Sequence, residues 1–130
     1  EEQDHFIEAI REKITERQVV EAAEIVGRQM GRRIECFEIQ PKWSDPPYYV
    51  LKVEESAAGG RIEELGQKFD EILSGLNIEY ETKRSSGRLG RVQVRLVADG
   101  YFRQDDLDRL SMCGRSEQYK RKFLITEIQR

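Results

Sequence analysis

Residues 62–76 read Ile62-Glu63-Glu64-Leu65-Gly66-Gln67-Lys68-Phe69-Asp70-Glu71-Ile72-Leu73-Ser74-Gly75-Leu76, and their apolar members fall three or four positions apart. Ile62, Leu65, Phe69, Ile72, Leu73 and Leu76 therefore share one stripe of an α-helix about four turns long, with charged and amide side chains opposite. A helix with a single apolar stripe needs a second layer to cover it, and the flanking sequence has to supply that layer.

Upstream, Ala57-Ala58-Gly59-Gly60 interrupts the chain, and before it Tyr48 to Glu54 alternates. Tyr49, Leu51 and Val53 point one way and Tyr48, Val50 and Lys52 the other, the period of a strand. Pro41-Lys42-Trp43-Ser44-Asp45-Pro46-Pro47 is a turn, because its prolines fix φ and remove amide donors. The short segment Ile34 to Gln40, with Cys36, Phe37 and Ile39, is a second strand, so the two make a hairpin. Further upstream, Thr15 and Gln18 form a capping-box pattern. Val19, Ala22, Ala23, Val26 and Met30 then recur at helical spacing, and Gly31 supplies a stop, giving a helix over Thr15 to Met30.

Downstream, Ile78-Glu79-Tyr80-Glu81 alternates and predicts a third strand, followed by a loop from Lys83 to Gly90. Val92, Val94 and Leu96 alternate with Gln93, Arg95 and Val97 to predict a fourth strand, stopped at Gly100. A short helix from Gln104 to Leu110 follows, with Asp105 and Asp106 near its positive N-terminal end. The stretch Met112 to Lys120 is polar, and Phe123 to Thr126 is suited to an edge strand. The resulting order, αββαββ, predicts an α+β fold: a two-layer sandwich with helices packed on a mainly antiparallel sheet.

The chain has 130 residues, enough for one domain that buries roughly two-thirds of its unfolded surface. With 22 basic and 25 acidic residues it carries a formal charge of −3, so no global field draws it to nucleic acid or to an anionic membrane. Apolar runs span only a few residues, far short of the roughly 20 that cross a bilayer, and no signal-peptide pattern opens the chain. The reading is a soluble, intracellular protein, placed in the cytoplasm. Cys36 and Cys113 stand far apart without a second Cys or His at metal-ligand spacing, and the sole histidine is His5, so no metal site is expected. A disulfide between the two cysteines stays open, although an intracellular setting argues against it.

No nucleophile constellation, glycine-rich phosphate loop or helical HExxH occurs. Glu54, Glu55, Asp105 and Asp106 read as solvated surface. Lys83, Arg84, Arg88 and Arg91 surround two serines and two glycines, a composition that either grips a phosphate or merely solubilises an exposed loop. Arg115, Lys120, Arg121 and Lys122 around Tyr119 form a second cationic cluster. Trp43, Tyr48 and Tyr49 crowd the proline turn, where aromatics either stack on bases or pack beneath the turn.

The second half of the chain carries a resemblance. Leu76-Asn77-Ile78-Glu79-Tyr80, then Arg84, Gly87, Leu89-Gly90, Val92 to Val97, Gly100-Tyr101-Phe102, Leu107, Gly114 and Gln118-Tyr119-Lys120 resemble the C-terminal domain of the Gretchen Hagen-type auxin-responsive family. These are acyl acid amido synthetases of the firefly-luciferase-like adenylating superfamily. Glu12-Lys13-Ile14-Thr15-Glu16 is similar to the start of that domain, and Tyr49-Val50-Leu51 to its hairpin strand.

The resemblance implies that residues 1–14 are a hinge-proximal segment and 15–130 a mobile C-terminal lid. It implies a parent that uses ATP with Mg2+ to activate a carboxylic acid as an acyl-adenylate, which an amine then captures. The large N-terminal adenylating domain of the same polypeptide would be the partner, with neither cofactor nor catalysis in the lid alone. Lys120 would be the catalytic lysine offered to the phosphate region, with Gln118 and Arg88 as nucleotide-side or docking contacts. After Gln118-Tyr119-Lys120 the family commonly continues with Pro and Arg, whereas this chain continues Arg121-Lys122-Phe123. The competing reading is a regulatory α+β module that binds a small ligand or a protein and has no enzymatic role. An RNA-binding version lacks aromatics on the strand Val92 to Val97.

Overall fold

In the computed structural model the described residues are 14–113 and 123–125, the side chains of 109–113 excepted. Helix α1 (Glu16–Met30) begins where the sequence predicts. Thr15 Oγ1 accepts from Gln18 N at 3.2 Å and Gln18 Oε1 accepts from Thr15 N at 3.1 Å, a complete capping box. Gly31, at φ 69°, ends the helix in the left-handed conformation that glycine adopts without a Cβ penalty.

Strands β1 (Phe37–Lys42) and β2 (Tyr48–Glu54) form the expected antiparallel hairpin, with Phe37 opposite Val53, Ile39 opposite Leu51 and Pro41 opposite Tyr49. All six are buried, so one face of the hairpin is core. A single helical turn, α2 (Glu55–Ala58), leads to α3 (Ile62–Leu76), which carries the apolar stripe that anchors the sequence reading. Val19, Ala22 and Val26 of α1, Leu65, Phe69 and Leu73 of α3, and Phe37, Ile39, Tyr49, Leu51 and Val53 of the sheet belong to one buried cluster. Helices and sheet thus form the two layers of an α+β fold.

The predicted third strand is a helix instead: Ile78 to Glu81 opens α4 (Ile78–Ser85). Four alternating residues cannot separate strand from helix, and Asn77 decides the matter by accepting from Tyr80 N at 3.0 Å as an N-cap. Glu79 and Glu81 then lie in the first turn and Lys83 and Arg84 in the last, both favourable to the helix dipole. This change alters the sheet. Without a partner strand before it, β3 (Gln93–Val97) is reached by a crossover through α2, α3 and α4, and it pairs parallel to β2, Leu51 beside Val94 and Val53 beside Leu96. The sheet order is β1-β2-β3 and its pairing is mixed, not mainly antiparallel.

Gly66 shows how closely α3 approaches β3: a Cβ there would lie 3.3 Å from Val92 O and from Val94 Cγ2. Helix α5 (Tyr101–Cys113) starts earlier than the predicted Gln104 because Glu54, read from sequence as solvated surface, reaches across from β2. Its Oε2 accepts from Gly100 N and Phe102 N, both at 3.2 Å. Asp99 reciprocates, its Oδ1 accepting from Ser56 N of α2 at 2.9 Å. Two parallel strands thus exchange carboxylates at the starts of the helices that follow them. Phe123, Leu124 and Ile125 run along the outer edge of β1, with Ile39 N donating to Phe123 O at 2.8 Å and Ile125 N to Ile39 O at 2.9 Å. The edge pairing predicted for Phe123 to Thr126 is present as a parallel bridge at Leu124, and Thr126 lies outside the described residues.

Candidate functional site

The last turn of α4 and the loop that leads from it to β3 carry the cations that the sequence singles out, and the structure commits two of them to internal pairs. Arg84 Nε donates to both oxygens of Asp70, at 2.9 and 3.0 Å, and Arg84 Nη1 donates to Leu89 O at 3.1 Å. Arg91 Nη2 pairs with Glu63 Oε2 at 3.1 Å. The Arg84 and Arg91 guanidinium groups thus engage carboxylates of α3. Arg88 is exposed, its Nε donating to Ser86 Oγ at 3.1 Å, and it forms no ion pair among the described residues.

Asp70 is the centre of this arrangement. It is the one buried charged side chain among the described residues, 7% exposed, and Oδ1 also accepts from the Tyr80 hydroxyl at 2.6 Å and from Val92 N at 3.4 Å. One carboxylate from α3 thereby holds α4, through Tyr80 and Arg84, and the end of the loop just before β3, through Val92. Sequence reading misses it. The available signal is position, since Asp70 stands four residues after Gly66 and three before Leu73, on the flank of the buried stripe.

Burial first, then the negative charge of Asp70 and the hydrogen bond to it, push the Tyr80 hydroxyl well above the usual tyrosine range. Burial raises Tyr49 as well, and its ring lies 6.3 Å from that of Tyr80. For Arg84, burial alone would lower the pKa, but the hydrogen bond and charge of Asp70 outweigh it and the net direction is upward. Raised phenol pKa values make both tyrosines contributors to loss of stability at alkaline pH. Below the unfolded value of about 10 both states keep the phenolic protons and stability is complete; above it only the unfolded chain releases them. Stability should therefore fall by about 1.4 kcal/mol per pH unit per tyrosine above pH 10. In an alkaline titration, tyrosinate absorbance from these two side chains should appear together with loss of circular dichroism. Native-state ionisation of every tyrosine near pH 10 would contradict this.

The hairpin tip lies against the same loop. Gly90 N donates to Pro47 O at 2.7 Å, and a Cβ on Gly90 would sit 3.3 Å from Tyr48 Cβ. Tyr49 is core, so it is no stacking platform, while Trp43 keeps 37% of its surface exposed. At the opposite end of the sheet Lys52 Nζ stands 5.3 Å from the centre of the Tyr101 ring.

Gln118 and Lys120, like Arg115, Tyr119, Arg121 and Lys122, lie outside the described residues, as do His5 and the side chain of Cys113 with which Cys36 could pair. Among the described residues no three His, Cys, Asp or Glu side chains converge as a metal site would require.

A three-stranded mixed sheet covered by α1 and α3, with its polar loop fastened internally, defines a small α+β domain. Residues 15–129 match the model of the GH3 family C-terminal domain, and the chain belongs to that family. Among solved structures it is similar to a GH3.15 acyl acid amido synthetase, at 20% identity and a TM-score of 0.60, covering 85% of this chain and 20% of that one. It is also similar to AtGH3.15 acyl acid amido synthetase in complex with 2,4-DB, at 15% identity and a TM-score of 0.60, covering 85% of this chain and 21% of that one. The chain thus spans about a fifth of the length of these synthetases. No curated protein matches it.

Proposed function

We propose that this domain is the mobile C-terminal lid of an ATP-dependent acyl-adenylate-forming ligase, closing over an adenylate site in a larger N-terminal domain. The observation that carries the reading is the match of residues 15–129 to a C-terminal domain, by a chain a fifth as long as the synthetases that share its fold.

In the intact ligase a carboxylate oxygen of the acid attacks the α-phosphorus of ATP, and the bond to the bridging oxygen breaks. The electron pair leaves with pyrophosphate, and an amine later displaces AMP from the acyl carbon. Lys120 supplies an ammonium on a flexible stem, a mobile point charge matched to phosphoryl oxygens whose negative charge grows as pyrophosphate departs. Gln118 lies two residues away on the same segment, as a nucleotide-side contact. Arg88, exposed on a loop fastened by Arg84 and Asp70, is suited to dock against the large domain. Magnesium would travel with the ATP phosphates and be held by the large domain.

The cytoplasm, where ATP is abundant, is the compartment this reading implies, and no described helix is long and apolar enough to cross a membrane.

The test is ATP–pyrophosphate exchange across a panel of carboxylic acids. The intact protein should exchange with at least one acid, while the isolated 130-residue chain should release no pyrophosphate. Silence of the intact protein across a broad panel would favour a ligand- or protein-binding module instead, and turnover by the isolated chain would refute a lid-only role.

A further inference from the structure

Gln18 does more than complete the capping box at the start of α1. Its Oε1 accepts from Thr15 N and from Asn77 Nδ2, each at 3.1 Å, so those two nitrogens stand within about 6 Å of one another. Gln18 Nε2 also donates to Leu76 O at 3.2 Å. The first turn of α1 and the junction between α3 and α4 are thus fastened side by side. Asn77 is itself held from both flanks, its N donating to Leu73 O at 2.9 Å and its Oδ1 accepting from Tyr80 N at 3.0 Å.

The residue that follows Asn77 is Ile78, the first of α4, and it is 78% exposed, the most exposed large apolar side chain among the described residues. Tyr80, two positions on, is buried, and a two-residue step along a helix turns to the opposite side. Ile78 therefore faces away from this domain's own core. It gives the helix nothing in return, since a β-branched residue is a modest helix former and the first turn favours acidic side chains. The hydrogen bonds around Asn77 present it from a fixed platform, which spares an interface the cost of ordering it.

We infer that Ile78 is an interdomain contact, seated against an apolar patch of the large N-terminal domain of the same polypeptide. The inference rests on the proposed lid reading, under which that domain precedes residue 15, where the family match begins, and joins this one ahead of Thr15. One Cα step separates Ile78 from Asn77, so the exposed side chain lies beside the point of attachment. A lid that turns about its attachment displaces each part in proportion to its distance from that point. Ile78 moves little and keeps its contact as the lid opens and closes, whereas a remote contact is made in one pose and lost in the other.

The experiment uses the intact protein. In Ile78→Cys, iodoacetamide alkylation at position 78, read by mass spectrometry of the peptide that carries it, should be on the order of tenfold slower in the native protein than in urea. An uncovered thiol in the first turn of a helix would react at least as fast as in the unfolded chain, because the helix end favours the thiolate. Ile78→Asp should slow adenylation and acyl transfer from preformed adenylate by the same factor, about tenfold, the loss expected when one buried apolar anchor is replaced by a charge. Unfolding of α4 would not account for that loss, because an acidic residue in the first turn suits the helix dipole. Ile78→Leu should behave as wild type.

Alkylation at the unfolded-chain rate, in a protein that adenylates some acid, overturns this inference and leaves the lid reading standing, as does an Ile78→Asp variant that keeps both half-reactions. A protein that adenylates no acid refutes the lid reading itself, and the inference falls with it.

Discussion

Replacing Asp70 by Ala should destabilise the domain by roughly 3 kcal/mol, the low end of the cost of removing one partner from a buried ion pair. The low end applies because Arg84 is 27% exposed and can turn part of its charge to water, whereas Asp70 is nearly enclosed. The loss has three parts: the Arg84 guanidinium forfeits both contacts to the carboxylate, the Tyr80 hydroxyl loses its 2.6 Å acceptor, and Val92 N loses its contact at 3.4 Å. Leaving buried donors without acceptors costs more than the bonds contributed when made. Asp70→Asn, which keeps one oxygen but loses the charge, should fall between wild type and Asp70→Ala. Urea denaturation of the 130-residue chain would measure both. A change under about 1 kcal/mol for Asp70→Ala would mean that the network is incidental to stability.

The same residue shows what sequence reasoning reaches and what it does not. Helices α1 and α3 and the β1–β2 hairpin are legible because their signals are local: a capping box at Thr15 and Gln18, a stop at Gly31, an apolar stripe, and a proline turn between alternating runs. Ile78 to Glu81 misleads because its alternation is too short to have a period, and its true determinant is one side chain, Asn77, acting on Tyr80 N. That error carries into the topology. A third strand at 78–81 would make a hairpin with β3, whereas a helix there leaves β3 to return parallel to β2.

The early start of α5 and the hydrogen bonds from Phe123 N and Leu124 N to Glu16 Oε2 are invisible in the sequence for a different reason. Glu54 and Glu16 act on amides 46 to 48 and 107 to 108 positions away, and no spacing rule links carboxylates to distant main chain. The loop cations stand out as a cluster, but their composition suits phosphate binding and solvation and says nothing of internal pairing. Their partners, Asp70 and Glu63, sit on α3, where the helical pattern reads them simply as polar positions. The residues of the candidate site come through resemblance, and the structure describes Arg88 alone among them.

Lys120→Ala in the intact protein should slow adenylation on the order of a hundredfold or more while sparing acyl transfer from preformed adenylate. The magnitude is that of deleting one preorganised contact to charge that develops in the transition state. The asymmetry between half-reactions is the sharper part of the prediction. Negative charge accumulates on the phosphoryl oxygens only while pyrophosphate leaves, so an ammonium aimed there lowers the barrier of that step and has nothing to stabilise when the amine later attacks the acyl carbon. Lys120→Arg keeps the charge but exchanges a compact ammonium for a planar, forked group, and should recover only part of the rate. On the proposed lid reading, Arg88→Ala, remote in sequence and on a separately fastened loop, should act on closure and therefore on both half-reactions. Equal loss of both half-reactions in Lys120→Ala would place Lys120 with Arg88 as a docking contact and remove it from the chemistry.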